Sequence, residues 1–195
     1  MNHLIEILPA LKRIRLMRVG CWDALDMEFL PGLNIITDDS HGSGKSTIFR
    51  AIIQAIHPTG LKSFPLSPTN GHSDGEIHLE LASSSVEQCI PVFANTGSES
   101  VGHDRMKFLL LRLQSAQTGQ VVLIESDGFE ALSDEAFSEV AKNLNAPSCQ
   151  VICIMSRRLK PEQFKHARIF ACFWDEKTNR AGVRLVQNGG SNVPS

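Results

Sequence analysis

Six consecutive residues, Gly42-Ser43-Gly44-Lys45-Ser46-Thr47, are the part of this chain whose types and spacing could do chemistry. Glycines let successive backbone N–H groups turn inward, and a following helix N-terminus adds partial positive charge that favours phosphate. Lys45 would reach the terminal phosphates of a nucleotide, and the Ser46 hydroxyl would hold Mg²⁺. With the adjoining His41, the candidate binding set is His41, Gly42, Ser43, Gly44, Lys45, Ser46 and Thr47. The competing reading is a Gly/Ser-rich strand-to-helix turn that binds nothing.

The full phosphate-loop pattern asks for glycine at position 39, where this chain has Asp39, preceded by Asp38. A carboxylate about 4 Å from a phosphate charge opposes binding by about 1 kcal/mol in water and about 4 kcal/mol at an effective dielectric of 20. Asp38 and Asp39 must therefore point away from the phosphate or weaken its binding.

Such a loop works only where a strand feeds it and a helix leaves it. The apolar run Leu33–Ile36 supplies the strand, and Ile48, Ile52, Ile53 and Ile56 fall at helical spacing in Ser46–Ile56, which His57-Pro58 ends. Upstream, Arg13–Val19 alternates basic and apolar residues with Ile14, Leu16 and Val19 on the buried side, and reads as a strand at a sheet edge. Leu25–Phe29 is a second alternating strand after the turn-prone Gly20–Asp23.

Downstream, Pro58–Gly75 reads as a long loop, Glu76–Leu81 and Val86–Phe93 as a hairpin, and Arg105–Gln114 as a helix. Val121–Ile124 and Val151–Met155 are continuous apolar runs of the kind buried on both faces of a parallel sheet. Ser133–Leu144 reads as a helix capped by Ser133. Arg168–Trp174 and Val183–Val186 complete the strands, and Gln187–Ser195 reads as a polar tail. The expected fold is α/β: a mainly parallel central sheet flanked by helices, with an antiparallel layer from the N-terminal strands and the Glu76–Phe93 hairpin. One domain over residues 1–187 and a flexible tail over 188–195 are the expected organisation.

The chain has 195 residues, 42% hydrophobic and 21% charged, a composition that excludes wholesale disorder. Its formal charge of -2 removes any strong electrostatic argument for nucleic acid as the main ligand. No apolar run approaches the roughly 18 residues of a membrane span, and no secretory signal is evident, so a cytoplasmic location is expected. The five cysteines, at 21, 89, 149, 153 and 172, form no CxxC pair and are expected to pack as small hydrophobes. The scattered histidines argue against a further metal site. Lys12, Arg13, Arg15 and Arg18 make a basic face that reads as solvated, with DNA as the alternative occupant. Trp22 and Trp174 read as core or interface anchors.

The segment Ile14–Arg50 resembles the N-terminal half of an ABC-type ATPase head, most closely the SMC and RecF group of DNA repair and chromosome ATPases. Its strands, Gly32–Ile36, GSGKST and Ile48–Ile52 carry the resemblance, and Asp39–Gly44 stands where that family has GPNGSG. The resemblance implies a P-loop NTPase fold that binds ATP and Mg²⁺ at the carboxyl ends of the parallel strands. It also implies an acidic motif after an apolar strand, which places Glu125 as a metal ligand through water beside Ser46, and Glu125 and Asp127 as the candidate catalytic carboxylates. Ser126 stands where the family has its general-base Glu, so Asp127 would have to substitute. The opposing reading is that Glu125 and Asp127 merely end a strand.

Other family motifs depart from the pattern. Ser100-Val101-Gly102-His103-Asp104 is the nearest match to the signature loop, Ser156 replaces the switch histidine, and Phe64–Pro68 offers no glutamine loop. The interval from Lys45 to Glu125 leaves no room for a long coiled coil. The implied function is an ATP-dependent association switch with slow hydrolysis or none, working as a homodimer or with a larger partner. The alternatives are a nucleotide-independent scaffold derived from such a head and, more weakly, a P-loop kinase or GTPase.

Overall fold

A computed structural model of the chain describes residues 8–38, 42–56, 74–82, 110–111, 113–116, 119–124, 129, 132–155 and 160–189. They form two sheets. The strands are β1 (Leu8–Pro9), β2 (Leu11–Val19), β3 (Trp22–Glu28), β4 (Leu33–Asp38), β5 (Glu76–Leu81), β6 (Gln120–Ile124), β7 (Gln150–Ile154), β8 (Arg168–Asp175) and β9 (Arg180–Gln187). Two helices, α1 (Lys45–Ile56) and α2 (Asp134–Leu144), and a 3-10 turn at Pro161–Gln163 join them. Helical residues also occur at 110–111 and 113–115.

The larger sheet runs β1-β6-β7-β4-β8-β9. Its four central strands are parallel, and the edges β1 and β9 are antiparallel to their neighbours. The continuous apolar runs follow from burial on both faces. Ile35, Val122, Ile124, Val151 and Cys153 point into one core with α2, while Ile36, Val121, Leu123, Ile152 and Ile154 point into a second core with α1. That second core is closed by the smaller antiparallel sheet β3-β2-β5, through Ile14, Leu16, Trp22, Leu25 and Met27. Helix α1 is buried through Ile48, Phe49, Ala51, Ile52 and Ile53 within that shared core.

Polar side chains fix how the layers meet. Gln150 is buried at the start of β7, where its Oε1 accepts from the Leu11 N–H at 2.7 Å and its Nε2 donates to the Leu11 and Leu30 carbonyls at 2.8 and 2.9 Å. Buried Asn34 accepts from the Leu30 N–H and donates to the Leu30 carbonyl, both at 2.8 Å, which pins the Pro31-Gly32 turn into β4. The Ser133 hydroxyl caps α2 by accepting from the Ala136 N–H at 3.2 Å, a contact worth about 1 kcal/mol. Phe137 stands edge-on to both Phe129 and Phe164 beneath that helix.

Several sequence expectations are corrected. Arg13–Val19 is not an edge strand: β2 lies between β3 and β5, because alternation reports which face is solvated and says nothing about lateral neighbours. The turn expected over Gly20–Asp23 is only Gly20-Cys21, with Trp22 and Asp23 already in β3. Gln187 belongs to β9, not to a tail; its amide donates to the Phe164 and Ala167 carbonyls. Cys149 precedes β7 but is buried, and Cys153 and Cys172 are buried in strands. Burial pushes the Cys149 thiol up to about 11 and Cys153 further. Trp22 is core and Trp174 is 36% exposed. The second arm of the hairpin, Val86–Phe93, the loop Pro58–Gly75 before Asp74 and most of Arg105–Gln114 lie outside the described residues, as do residues 190–195. Among the described residues no helix is long and apolar enough to cross a membrane.

Candidate functional site

Strand β4 leads into the glycine-rich segment and α1 leaves it. Gly42 and Gly44 have φ of +84° and +89°, values that side chains of L-residues rarely adopt, so the two glycines are what let the chain reverse into the helix. The N–H groups of Thr47 and Ile48 both donate to the Gly44 carbonyl, at 3.1 and 3.2 Å, which tightens the first turn of α1. A helix start leaves its first N–H groups without an intrahelical acceptor, and these can hold an anion's oxygens.

The tip of the β2–β3 hairpin packs against this turn. A Cβ at Gly44 would lie 2.5 Å from Cys21 Sγ and 2.7 Å from Trp22 Nε1, and a Cβ at Gly20 would lie 2.8 Å from Thr47 Cγ2. Trp22 donates its indole N–H to the Gly44 carbonyl at 3.2 Å. Burial pushes the Cys21 thiol up, opposed by its hydrogen bond with Thr47. These contacts join residues more than twenty positions apart, so no local pattern reveals them; the sequence signal is a further glycine, Gly20, in the turn-prone segment before β3.

Ser46 is exposed at the start of α1, whereas Ser43 is 1% exposed. The Ser43 hydroxyl has no hydrogen-bond partner among the described residues, an uncommon state for a buried polar group. Lys45 is mostly buried and forms an ion pair with Asp38. Of the two alternatives for Asp38, pointing away or weakening phosphate binding, the first does not hold: Asp38 lies inward at the end of β4 with its side chain 7% exposed. In this poorly solvated site the carboxylate has the ammonium of Lys45 beside it in place of water.

His41, Asp39, Glu125, Ser126, Asp127 and Ser156 lie outside the described residues, as do Phe64–Pro68 and Ser100–Asp104. The topology gives a frame for the acidic segment. Strand β6 ends at Ile124 parallel to β4 with β7 between them, so their axes are about 10 Å apart, two strand spacings, at the same carboxyl edge. Among the described residues no group of three or more His, Cys, Asp or Glu is placed to hold a metal ion.

The basic strand face is an ion-pair lattice. Arg13 pairs with Asp26 at 2.5 Å and Glu28 at 3.6 Å, Lys12 with Glu80 at 2.6 Å, Arg15 with Asp26 at 3.4 Å, and Arg18 with Asp74 at 3.4 Å. The Arg13 guanidinium, hydrogen-bonded to Asp26, holds that carboxyl below its usual range.

No protein-family model matches the chain, and no curated protein matches it. Solved structures do. An SMC head domain from Thermotoga maritima superposes with a TM-score of 0.54 at 14% identity, covering 91% of this chain and 99% of that one. An SMC head bound to the C-winged helix domain of ScpA gives 0.53 at 11% identity, covering 92% and 98%. At such identities the likeness establishes fold alone. With its parallel core, its antiparallel layer and a glycine-rich turn between β4 and α1, the chain has the fold of an SMC-like P-loop ATPase head.

Proposed function

We propose that the chain binds ATP with Mg²⁺ through residues 41–47 and acts as a nucleotide-dependent association switch with little or no hydrolysis of its own. The observation that carries this reading is the Gly42–Thr47 turn, with two left-handed glycines and Lys45, standing between β4 and α1 of an SMC-head-like fold. Backbone N–H groups of the turn and Lys45 would hold phosphate oxygens, and the orphaned Ser43 hydroxyl supports a polar occupant. Ser46, with Glu125 acting through water, would hold Mg²⁺, which would neutralise phosphate charge. Glu125 and Asp127 are the proposed catalytic carboxylates, and Ser126 at the general-base position argues for slow turnover.

Association with a second copy or with a larger partner is proposed because one matched SMC head is bound to another protein's domain. DNA is not assigned to the basic face, whose cations each have a carboxylate partner.

A second reading, a nucleotide-independent scaffold, is favoured by one observation, the Asp38–Lys45 ion pair that occupies the ammonium internally. Calorimetry of ATP and ADP with Mg²⁺, on the wild type and Lys45→Ala, separates the two. Micromolar binding lost in Lys45→Ala, with ATP-dependent association in size-exclusion chromatography, is expected of the switch. No binding at millimolar ATP overturns it in favour of the scaffold.

A further inference from the structure

The apolar run predicted to end at Ile36 continues as strand through Thr37 to Asp38, paired in parallel register with Ala171 and Cys172 of β8. This extension carries the Asp38 carboxylate, on a fixed backbone, to the ammonium of Lys45. The two side chains are 7% and 12% exposed, so the pair forms largely out of water, where each charge needs a partner. A carboxylate offers an ammonium the same charge-assisted contact that a phosphate does. Asp38 therefore makes, from within the chain, the contact that the preceding section assigns to the nucleotide.

We infer that Asp38 is an internal competitor for the phosphate: it holds Lys45 in the nucleotide-free chain, and a nucleotide gains the ammonium only by displacing it. The inference rests on the reading of Gly42–Thr47 as a nucleotide site. Its effect is thermodynamic. Apparent affinity falls by the fraction of molecules in which Lys45 is released, so a pair closed in nine molecules of ten weakens binding about tenfold. The Gly42 and Gly44 turn is set by backbone conformation, so Asp38 controls the charge available to the ligand and leaves the shape of the loop unchanged.

The test is titration calorimetry of Mg²⁺-ATP with the full chain as wild type, Asp38→Asn and Asp38→Ser, each also carrying Lys45→Ala, after thermal denaturation has confirmed folding. The serine variant serves if the asparagine variant misfolds. Binding at least about tenfold tighter in an Asp38 variant, and lost with Lys45→Ala, is the expected result. Equal or weaker binding in both Asp38 variants, with wild-type binding still dependent on Lys45, overturns the competitor and leaves the nucleotide reading standing. Binding seen only in the Asp38 variants and dependent on Lys45 upholds the competitor and overturns the wild-type switch. No binding in any form, or binding indifferent to Lys45, overturns both.

Discussion

The indole N–H of Trp22, in the antiparallel sheet, donates to the carbonyl of Gly44, the residue before Lys45, at 3.2 Å. The same carbonyl accepts from Thr47 and Ile48, so one oxygen ties the hairpin tip, the glycine turn and the first turn of α1 together. The smaller sheet thus braces the turn from which the candidate lysine projects.

Replacing Trp22 with Phe keeps an aromatic ring but removes this donor and part of the packing of a fully buried side chain. Loss of one hydrogen bond and some buried volume should lower stability by about 1–3 kcal/mol. Urea denaturation followed by circular dichroism measures it; an unchanged midpoint would show that the turn holds without the indole.

The two glycines should differ in sensitivity. Both have positive φ, which costs an L-residue about 1–2 kcal/mol, but a Cβ at Gly42 meets nothing within 4 Å whereas one at Gly44 collides with Cys21 and Trp22. Gly42→Ala is expected to lose about that backbone penalty. Gly44→Ala adds about 1–3 kcal/mol of overpacking. Equal denaturation midpoints for the two variants would contradict the close approach.

Gln150→Ala removes the side-chain partner of the Leu11 N–H and Leu11 carbonyl in a buried site, while the Leu30 carbonyl keeps its bond from Asn34. At about 1–3 kcal/mol per orphaned group, partly relieved by water, a loss of about 2–4 kcal/mol is expected. Asn143→Ala, which removes only an exposed bond to the Glu139 carbonyl, should change stability by less than about 0.5 kcal/mol. The pair of denaturation curves is the check.

The outer face of the smaller sheet gives a pH response. Asp26 is lowered by its hydrogen bond from Arg13, Glu80 by that from Lys12 and Glu76 by that from His78. Depressed carboxylates contribute stability above their unfolded values and lose it as pH falls through the folded ones, so the loss is expected below about pH 4. These groups are solvent-exposed, so the slope should be shallow and shrink further in high salt. Thermal melts across pH 2–6 at two salt concentrations, on wild type and Asp26→Asn, test it; a salt-independent slope retained in Asp26→Asn would refute the assignment.

The sequence by itself determined the parts whose signals are local: the parallel core strands Leu33–Ile36, Val121–Ile124 and Val151–Met155, Arg168–Trp174 as a strand though not its parallel place beside β4, helix α1 from its isoleucine spacing, the Ser133 cap, and the glycine turn between strand and helix. Each depends on residues within a few positions of one another, where period, burial and backbone freedom act directly. Tertiary structure alone decided that β2 is central, that Trp22 braces Gly44, that Gln150 bolts the two layers, and that Asp38 faces Lys45. Periodicity says which side of an element is buried but not what lies against it. Asp38 shows the physical reason: its charge, opposed to a phosphate, left open whether it points away or weakens binding, and only the folded chain decides, by bringing Lys45 across the loop on α1 as its countercharge in a poorly solvated site.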